Sequence, residues 1–114
     1  MESFAGKIAV ITGGGTGMGR ELTYQLAEED CHVSICDVIE ENMEETFKEA
    51  SKKYPNVKIT KHLCDVSSEA DVMRFRDEVL EQQETDHINL LFNNAGIGGG
   101  ACLLYTSPSP RDLP

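Results

Sequence analysis

Short apolar runs alternate with amphipathic ones along most of this chain. Lys7–Thr12 (KIAVIT) is brief, rich in β-branched residues and closed by glycines, the pattern of a buried strand. From Met18 to Glu29, apolar residues at Met18, Leu22, Leu26 and Ala27 recur at helical spacing. His32–Cys36 (HVSIC) predicts a second strand. Glu40 to Lys53 predicts a second helix, with Met43, Phe47 and Ala50 on one face and Glu44/Lys48 and Glu49/Lys53 as favourable i,i+4 pairs elsewhere. Tyr54-Pro55-Asn56 stops it, because proline cannot continue a helix. Val57–Cys64 predicts a third strand. Ser68-Glu69-Ala70-Asp71 resembles a capping box, and Val72, Phe75, Val79 and Leu80 form the next helical stripe. Ile88–Phe92 (INLLF) predicts a fourth strand.

Strands alternating with helices through short connections argue for an α/β fold with a parallel sheet. Right-handed crossovers set strands one, two and three side by side, and strand four can lie on the other flank of strand one. The expected architecture is a doubly wound parallel sheet of order 3-2-1-4. Its switch point falls between strands one and four, and ligands bind such sheets at the carboxyl ends of strands near that point.

Composition narrows the classes. A hydrophobic share of 39% is too high for a disordered chain. No apolar run reaches the ~20 residues needed to span a bilayer, and the start, Met1–Lys7, lacks a signal-peptide layout. The expectation is a cytoplasmic protein without a membrane partner. Ten basic residues against 20 acidic ones leave a net charge of −10, which disfavours nucleic acid as a partner. Cys31, Cys36, Cys64 and Cys102 form no C-x-x-C pair and match no zinc template, so no metal is expected. The first three lie at or inside strand-like runs and read as small buried thiols. The acidic run Glu40–Glu49 reads as a solvated helix face, and His32, His62 and His87 as surface or packing residues.

Candidate chemistry centres on Thr12–Gly19 (TGGGTGMG), between strand one and the first helix. It departs from G-x-G-x-x-G because Met18 stands where the third glycine would be. It fits T-G-x-x-x-G-x-G through Thr12, Gly13, Gly17 and Gly19, and no Gly-Lys-Ser/Thr follows to make a P-loop. Helix N-termini offer unpaired N–H groups and a positive dipole end to phosphate, and glycines let a pyrophosphate approach. The candidate residues here are Gly13, Gly15, Thr16, Gly17, Met18 and Gly19. Asp37 follows strand two, 18 residues after Gly19, near the spacing of a ribose-binding carboxylate. It would accept from both ribose hydroxyls and repel a 2′-phosphate. No Lys or Arg lies in Gly13–Gly19 to offset that repulsion, so NAD is expected over NADP.

Together these residues resemble the short-chain dehydrogenase/reductase family over Phe4 to about Gly98, the N-terminal half of its Rossmann-like fold. Besides the glycine loop, Asp65-Val66 looks like the family's adenine-contacting pair, and Asn93-Asn94-Ala95-Gly96 matches its N-N-A-G motif. The resemblance implies that Asn94, Ala95 and Gly96 pass along the cofactor and that Asn93 helps hold the sheet. Glu28-Glu29-Asp30 departs from the family, which usually has a glycine there. The family's catalytic Ser and Tyr-x-x-x-Lys lie C-terminal to N-N-A-G, and this chain stops first, so no catalytic residue is assigned. Tyr54-Pro55-Asn56-Val57-Lys58 has the spacing of the Tyr/Lys pair, but Pro55 breaks the helix that pair requires.

The resemblance implies a parent oxidoreductase that moves a hydride between nicotinamide and a carbonyl or alcohol carbon of a small-molecule substrate. It also implies a homo-oligomer. A non-enzymatic dinucleotide-binding module or redox sensor, and a non-functional translated fragment, are the competing readings. Cys102–Asp112 (CLLYTSPSPRD) resembles a translated sequencing adapter. The expected organisation is therefore residues 1–101 as the NAD-binding half and 102–114 as a non-native, unstructured tail. A half-domain leaves strand four without its far neighbour, so a marginal fold is expected.

Overall fold

The computed structural model describes residues 5–15 and 17–93. Its order is β1 (Ile8–Thr12), α1 (Gly17–Glu28), β2 (His32–Asp37), α2 (Glu40–Lys53), β3 (Ile59–Leu63), α3 (Glu69–Gln82) and β4 (Leu90–Asn93). The strands form one parallel sheet of order β3-β2-β1-β4, as the sequence pattern predicts. Thr12 lies opposite Cys36 on one side and Asn93 on the other, so the carboxyl ends of β1, β2 and β4 stand together.

Alternation along the strands divides the core in two. On one face Ala9, Ile11, Val33 and Ile35 meet Leu26 and Ala27 of α1 and Met43 and Ala50 of α2. On the other, Val10 and Cys36 meet Val72, Phe75 and Val79 of α3. β1 is buried along its whole length, which explains why its apolar run does not alternate.

Boundaries shift where side chains take over backbone hydrogen bonds. The expected strand Val57–Cys64 starts at Ile59, because the Lys58 N–H donates to His32 Nδ1 at 2.9 Å instead of to a neighbouring strand. The expected strand Ile88–Phe92 starts at Leu90: Asn89 clamps β1, its Oδ1 accepting from Ile8 N–H and its N–H donating to Ile8 O, both at 2.9 Å. In α1, Met18 is 70% exposed and does not join the apolar face, which is built from Gly19, Thr23, Leu26 and Ala27. Glu44 turns to Lys61 of β3 at 3.1 Å rather than to Lys48. Half of the expected capping box forms. Ser68 Oγ accepts from Asp71 N–H at 3.3 Å, while the Asp71 carboxylate accepts from Asp65 N–H at 3.1 Å.

Cys31, Cys36 and Cys64 are free and buried. Burial pushes the Cys31 thiol up to about 11, and the hydrogen bond shared with Cys64, together with burial, raises that of Cys36. Cys31 and Cys36 therefore stay protonated near neutral pH, whereas the same hydrogen bond lowers the thiol pKa of Cys64. Among the described residues no helix is long and apolar enough to cross a membrane, and no group of three or more His, Cys, Asp or Glu is placed to hold a metal ion.

Candidate functional site

The glycine loop turns immediately beyond β1. Gly13 has φ +68°, a backbone conformation that a side chain would strain. Gly14 N–H donates to Cys36 O at 3.0 Å, drawing the loop over the end of β2. A Cβ on Gly15 would stand 2.7 Å from both Asn42 Cβ and Asp37 Oδ2. Glycine is therefore required at position 15 by the close approach of α2 and of the carboxylate. Gly17 opens α1 and is exposed, whereas Gly19 is buried and lets α1 lie close on the sheet. The first-turn N–H groups of α1 point toward the carboxyl ends of the strands, where helix geometry leaves them without intrahelical partners.

Asp37 ends β2 in that neighbourhood. Its Oδ2 accepts from Gly15 N–H at 3.0 Å, and its Oδ1 accepts from Val38 N–H at 2.7 Å and Ile39 N–H at 3.4 Å. The loop and the strand end thus fix the carboxylate in one orientation. A carboxylate has about four acceptor positions, so capacity remains for hydroxyl donors. Beyond it, at the ends of β2 and β3, lies a cleft of about 330 Å³ lined by Val38, Leu63, Cys64, Asp65, Asp71 and Arg74. Val38 and Leu63 expose apolar surface there. Asp65 is exposed, and the Ser67 hydroxyl and N–H hold its carboxyl below the usual carboxylate range. Val66 is 7% exposed and packs with Val10, Phe75 and Val79. A larger hollow of about 460 Å³ follows Glu41, Glu44, Glu45, Lys48, Glu49 and Lys52 along α2. It is the charged solvent face of one helix, as expected for that acidic run.

The sheet's far side contributes Thr12, whose hydroxyl donates to Asn93 Oδ1 at 3.1 Å and ties the ends of β1 and β4. Gly13, Gly15, Gly17, Met18, Gly19, Asp37, Asp65 and Val66 therefore gather along one edge of the sheet. Thr16, Asn94, Ala95 and Gly96 lie outside the described residues, as do Cys102 and the tail. Tyr54 and Lys58 do not come together as a catalytic pair. Tyr54 Oη donates to Glu28 at 3.4 Å, and Lys58 Nζ binds Gln82 O at 2.8 Å and Glu84 at 2.9 Å.

Sequence reasoning missed Arg20 and Thr46. Arg20 donates from Nη2 to Gly15 O at 2.6 Å and Asn42 O at 3.2 Å, and from Nε to Thr46 Oγ1 at 3.0 Å. Its Nη1 pairs with Glu45 at 3.1 Å. The signals were an arginine directly after the last glycine and a threonine on the apolar face of α2.

Comparison with known proteins decides the family. The family model described as short chain dehydrogenase matches residues 7–109. The chain belongs to the short-chain dehydrogenase family. That match runs past Ala101 into the stretch that resembles an adapter. Levodione reductase of Leifsonia aquatica is 34% identical over 96 residues, covering 84% of this chain and 35% of the relative. Human epidermal retinol dehydrogenase 2 is 35% identical over 99 residues, covering 87% and 31%. Among solved structures, NAD⁺-bound xylitol dehydrogenase superposes with a TM-score of 0.76 at 32% identity, covering 84% of this chain and 35% of that one. L-Sorbose reductase of Gluconobacter frateurii, complexed with NADPH and L-sorbose, has a TM-score of 0.76 at 26% identity, covering 85% and 36%. The chain spans about a third of the length of the curated relatives it matches. Relatives with either dinucleotide share this fold, so the cofactor preference must be argued from the site itself.

Proposed function

We propose that this chain forms the adenosine and pyrophosphate half of a dinucleotide site that takes NAD in preference to NADP. Its parent is an oxidoreductase that moves a hydride between the nicotinamide and a carbonyl or alcohol carbon. The observation that carries the cofactor choice is the Asp37 carboxylate, held by Gly15 N–H at the end of β2. Fixed there, it accepts from the ribose hydroxyls and repels a 2′-phosphate at short range. The nearest arginine in sequence, Arg20, is committed to Gly15, Asn42, Thr46 and Glu45.

In this reading the backbone of Gly13, Gly15, Thr16, Gly17, Met18 and Gly19 holds the pyrophosphate at the α1 N-terminus. Asp65 and Val66 border the adenine, and, as the resemblance implies, Asn94, Ala95 and Gly96 pass along the adenosine ribose side. When bound, the nicotinamide supplies the hydride chemistry, while these residues bind and orient the dinucleotide. The chain is expected to bind NADH through these residues. Residues 102–112 are proposed to contribute nothing. Reading the source gene onward from the codons of Asn89–Gly96 tests that directly.

The test of cofactor choice is calorimetric titration with NADH and NADPH. Asp37→Ala should weaken NADH about 10-fold or more, through loss of hydrogen bonds to a charged group, and should improve NADPH relative to it. An unchanged NADH/NADPH affinity ratio would remove Asp37 from the ribose site.

A further inference from the structure

Gly15 is gripped through both of its backbone polar groups. Its N–H donates to Asp37 Oδ2 at 3.0 Å. Its carbonyl accepts from Arg20 Nη2 at 2.6 Å and from Thr46 Oγ1 at 3.3 Å. Arg20 also binds Thr46 Oγ1 and Asn42 O, so its guanidinium joins the first turn of α1 to α2 across the loop. Thr46 is fully buried. The planar guanidinium suits this role because its donors leave in fixed directions. The bond to Asp37 and the bonds to Arg20 and Thr46 lie on the two peptide groups that flank the Gly15 Cα, so together they hold the backbone torsions at Gly15.

We infer that Arg20, with Thr46, is a positioning pair for cofactor selection: by fixing the backbone of Gly15 on its carbonyl side it holds the N–H on the other side, and so sets the direction in which Asp37 presents its carboxylate. Arg20 acts through Gly15 and Asp37 and does not itself touch the ribose. The inference rests on the reading of Asp37 as the ribose carboxylate. It differs from an alternative role for Arg20 as a cation that attracts a 2′-phosphate, because the two roles have opposite signs. Removing a positioning residue lowers discrimination against the phosphate. Removing an attracting cation raises it.

The experiment uses the full chain with ADP-ribose and its 2′-phosphorylated analogue, so that no turnover is involved. The quantity read is the ratio of the two dissociation constants, analogue over ADP-ribose. In Arg20→Ala this ratio should fall about three- to tenfold, the effect of losing one or two directing hydrogen bonds. Thr46→Val should lower it in the same direction and by less. In an Asp37→Ala background, Arg20→Ala should produce no further change, since both act on one carboxylate. A merely structural Arg20 would weaken both ligands by one factor and leave the ratio unchanged, which overturns the inference, as does a rise in the ratio. If Arg20→Ala does not fold, Thr46→Val decides: a ratio that it leaves at the wild-type value overturns the inference. A wild-type ratio near unity overturns the Asp37 reading as well, while a wild-type preference that survives in the variants overturns this inference alone.

Discussion

Asp30 sits in the left-handed region at φ +64° and closes α1 in a Schellman arrangement. Its N–H donates to Ala27 O and the following Cys31 N–H to Leu26 O, both at 3.0 Å. The position calls for glycine, and the acidic side chain also opposes the helix dipole. This accounts for the departure from the family at Glu28-Glu29-Asp30: the chain keeps the turn and accepts its strain. Asp30→Gly should therefore stabilise the protein by about 0.5–1 kcal/mol, raising Tm by several degrees. Glu84, at φ +56°, closes α3 in the same way, but it also pairs with Lys58 Nζ at 2.9 Å. Glu84→Gly should gain less, because an exposed ion pair is lost with it. Paired thermal melts check both. An Asp30→Gly protein no more stable than wild type would mean that the aspartate is at ease in its turn.

Between β2, β3 and α3 runs a buried polar chain. Gln83 Nε2 donates to Ser34 Oγ at 3.0 Å, Ser34 and Thr60 hydroxyls meet at 2.5 Å, Thr60 Oγ1 meets His62 Nε2 at 2.8 Å, and His62 Nδ1 meets Glu78 at 2.7 Å. Burial lowers the His62 pKa, outweighing the opposite pull of Glu78. The unfolded chain then takes up the proton before the folded one does. The contribution of neutral His62 is complete above the unfolded value of about 6.5 and is lost as pH falls below it. Asp65 and Glu84, whose carboxyls are lowered, lose their contributions only at more acidic pH. Urea midpoints measured from about pH 7 to about pH 5 should therefore fall in the wild type and flatten in His62→Gln. A wild-type slope that persists in His62→Gln would assign the titration elsewhere. None of this network was legible in the sequence, where His62 looked like a packing residue, because its partners lie on three different elements. The elements themselves were legible because each must bury one face at a fixed period, so Met43, Ala50, Val72, Phe75 and Val79 marked their helices correctly. What the pattern misjudged were the ends, where Asn89 and His32 substitute side-chain for backbone partners, and Met18, which carries the right spacing but no sheet to cover it. Asp37 was legible by its distance from the glycine loop. Its clamp was not, because Arg20, Asn42 and Thr46 meet only when α2 folds back beside α1.

For the molecule as a whole, two features oppose the proposed ligand and one favours it. The chain carries a net charge of −10, so its long-range field repels an anionic dinucleotide. β4 pairs with β1, yet Leu90, Leu91 and Phe92 are only partly buried, while every residue of β1 is buried. Incomplete cover on an apolar strand forgoes part of the ~1.5–3 kcal/mol that full burial of each side chain supplies. Against this, the candidate site draws on the ends of β1, β2 and β3 and the start of α1, so a ligand bound there adds ties among elements that the sheet and the glycine loop already join. At about 100 times its Kd a ligand specific for the folded state adds about 2.7 kcal/mol, which for a domain of this size is a rise in Tm of about 10 °C or more. ADP-ribose should produce that rise. Because local N–H donors must overcome a repulsive net field, added salt screens the repulsion and should leave the rise intact or enlarge it between about 0.05 and 0.5 M. A basic, phosphate-neutralising surface behaves in the opposite way, losing affinity steeply with salt. Thermal melts with and without ADP-ribose across that range separate the two. A shift that collapses with salt would mean that the nucleotide is held by surface cations and not by the glycine loop.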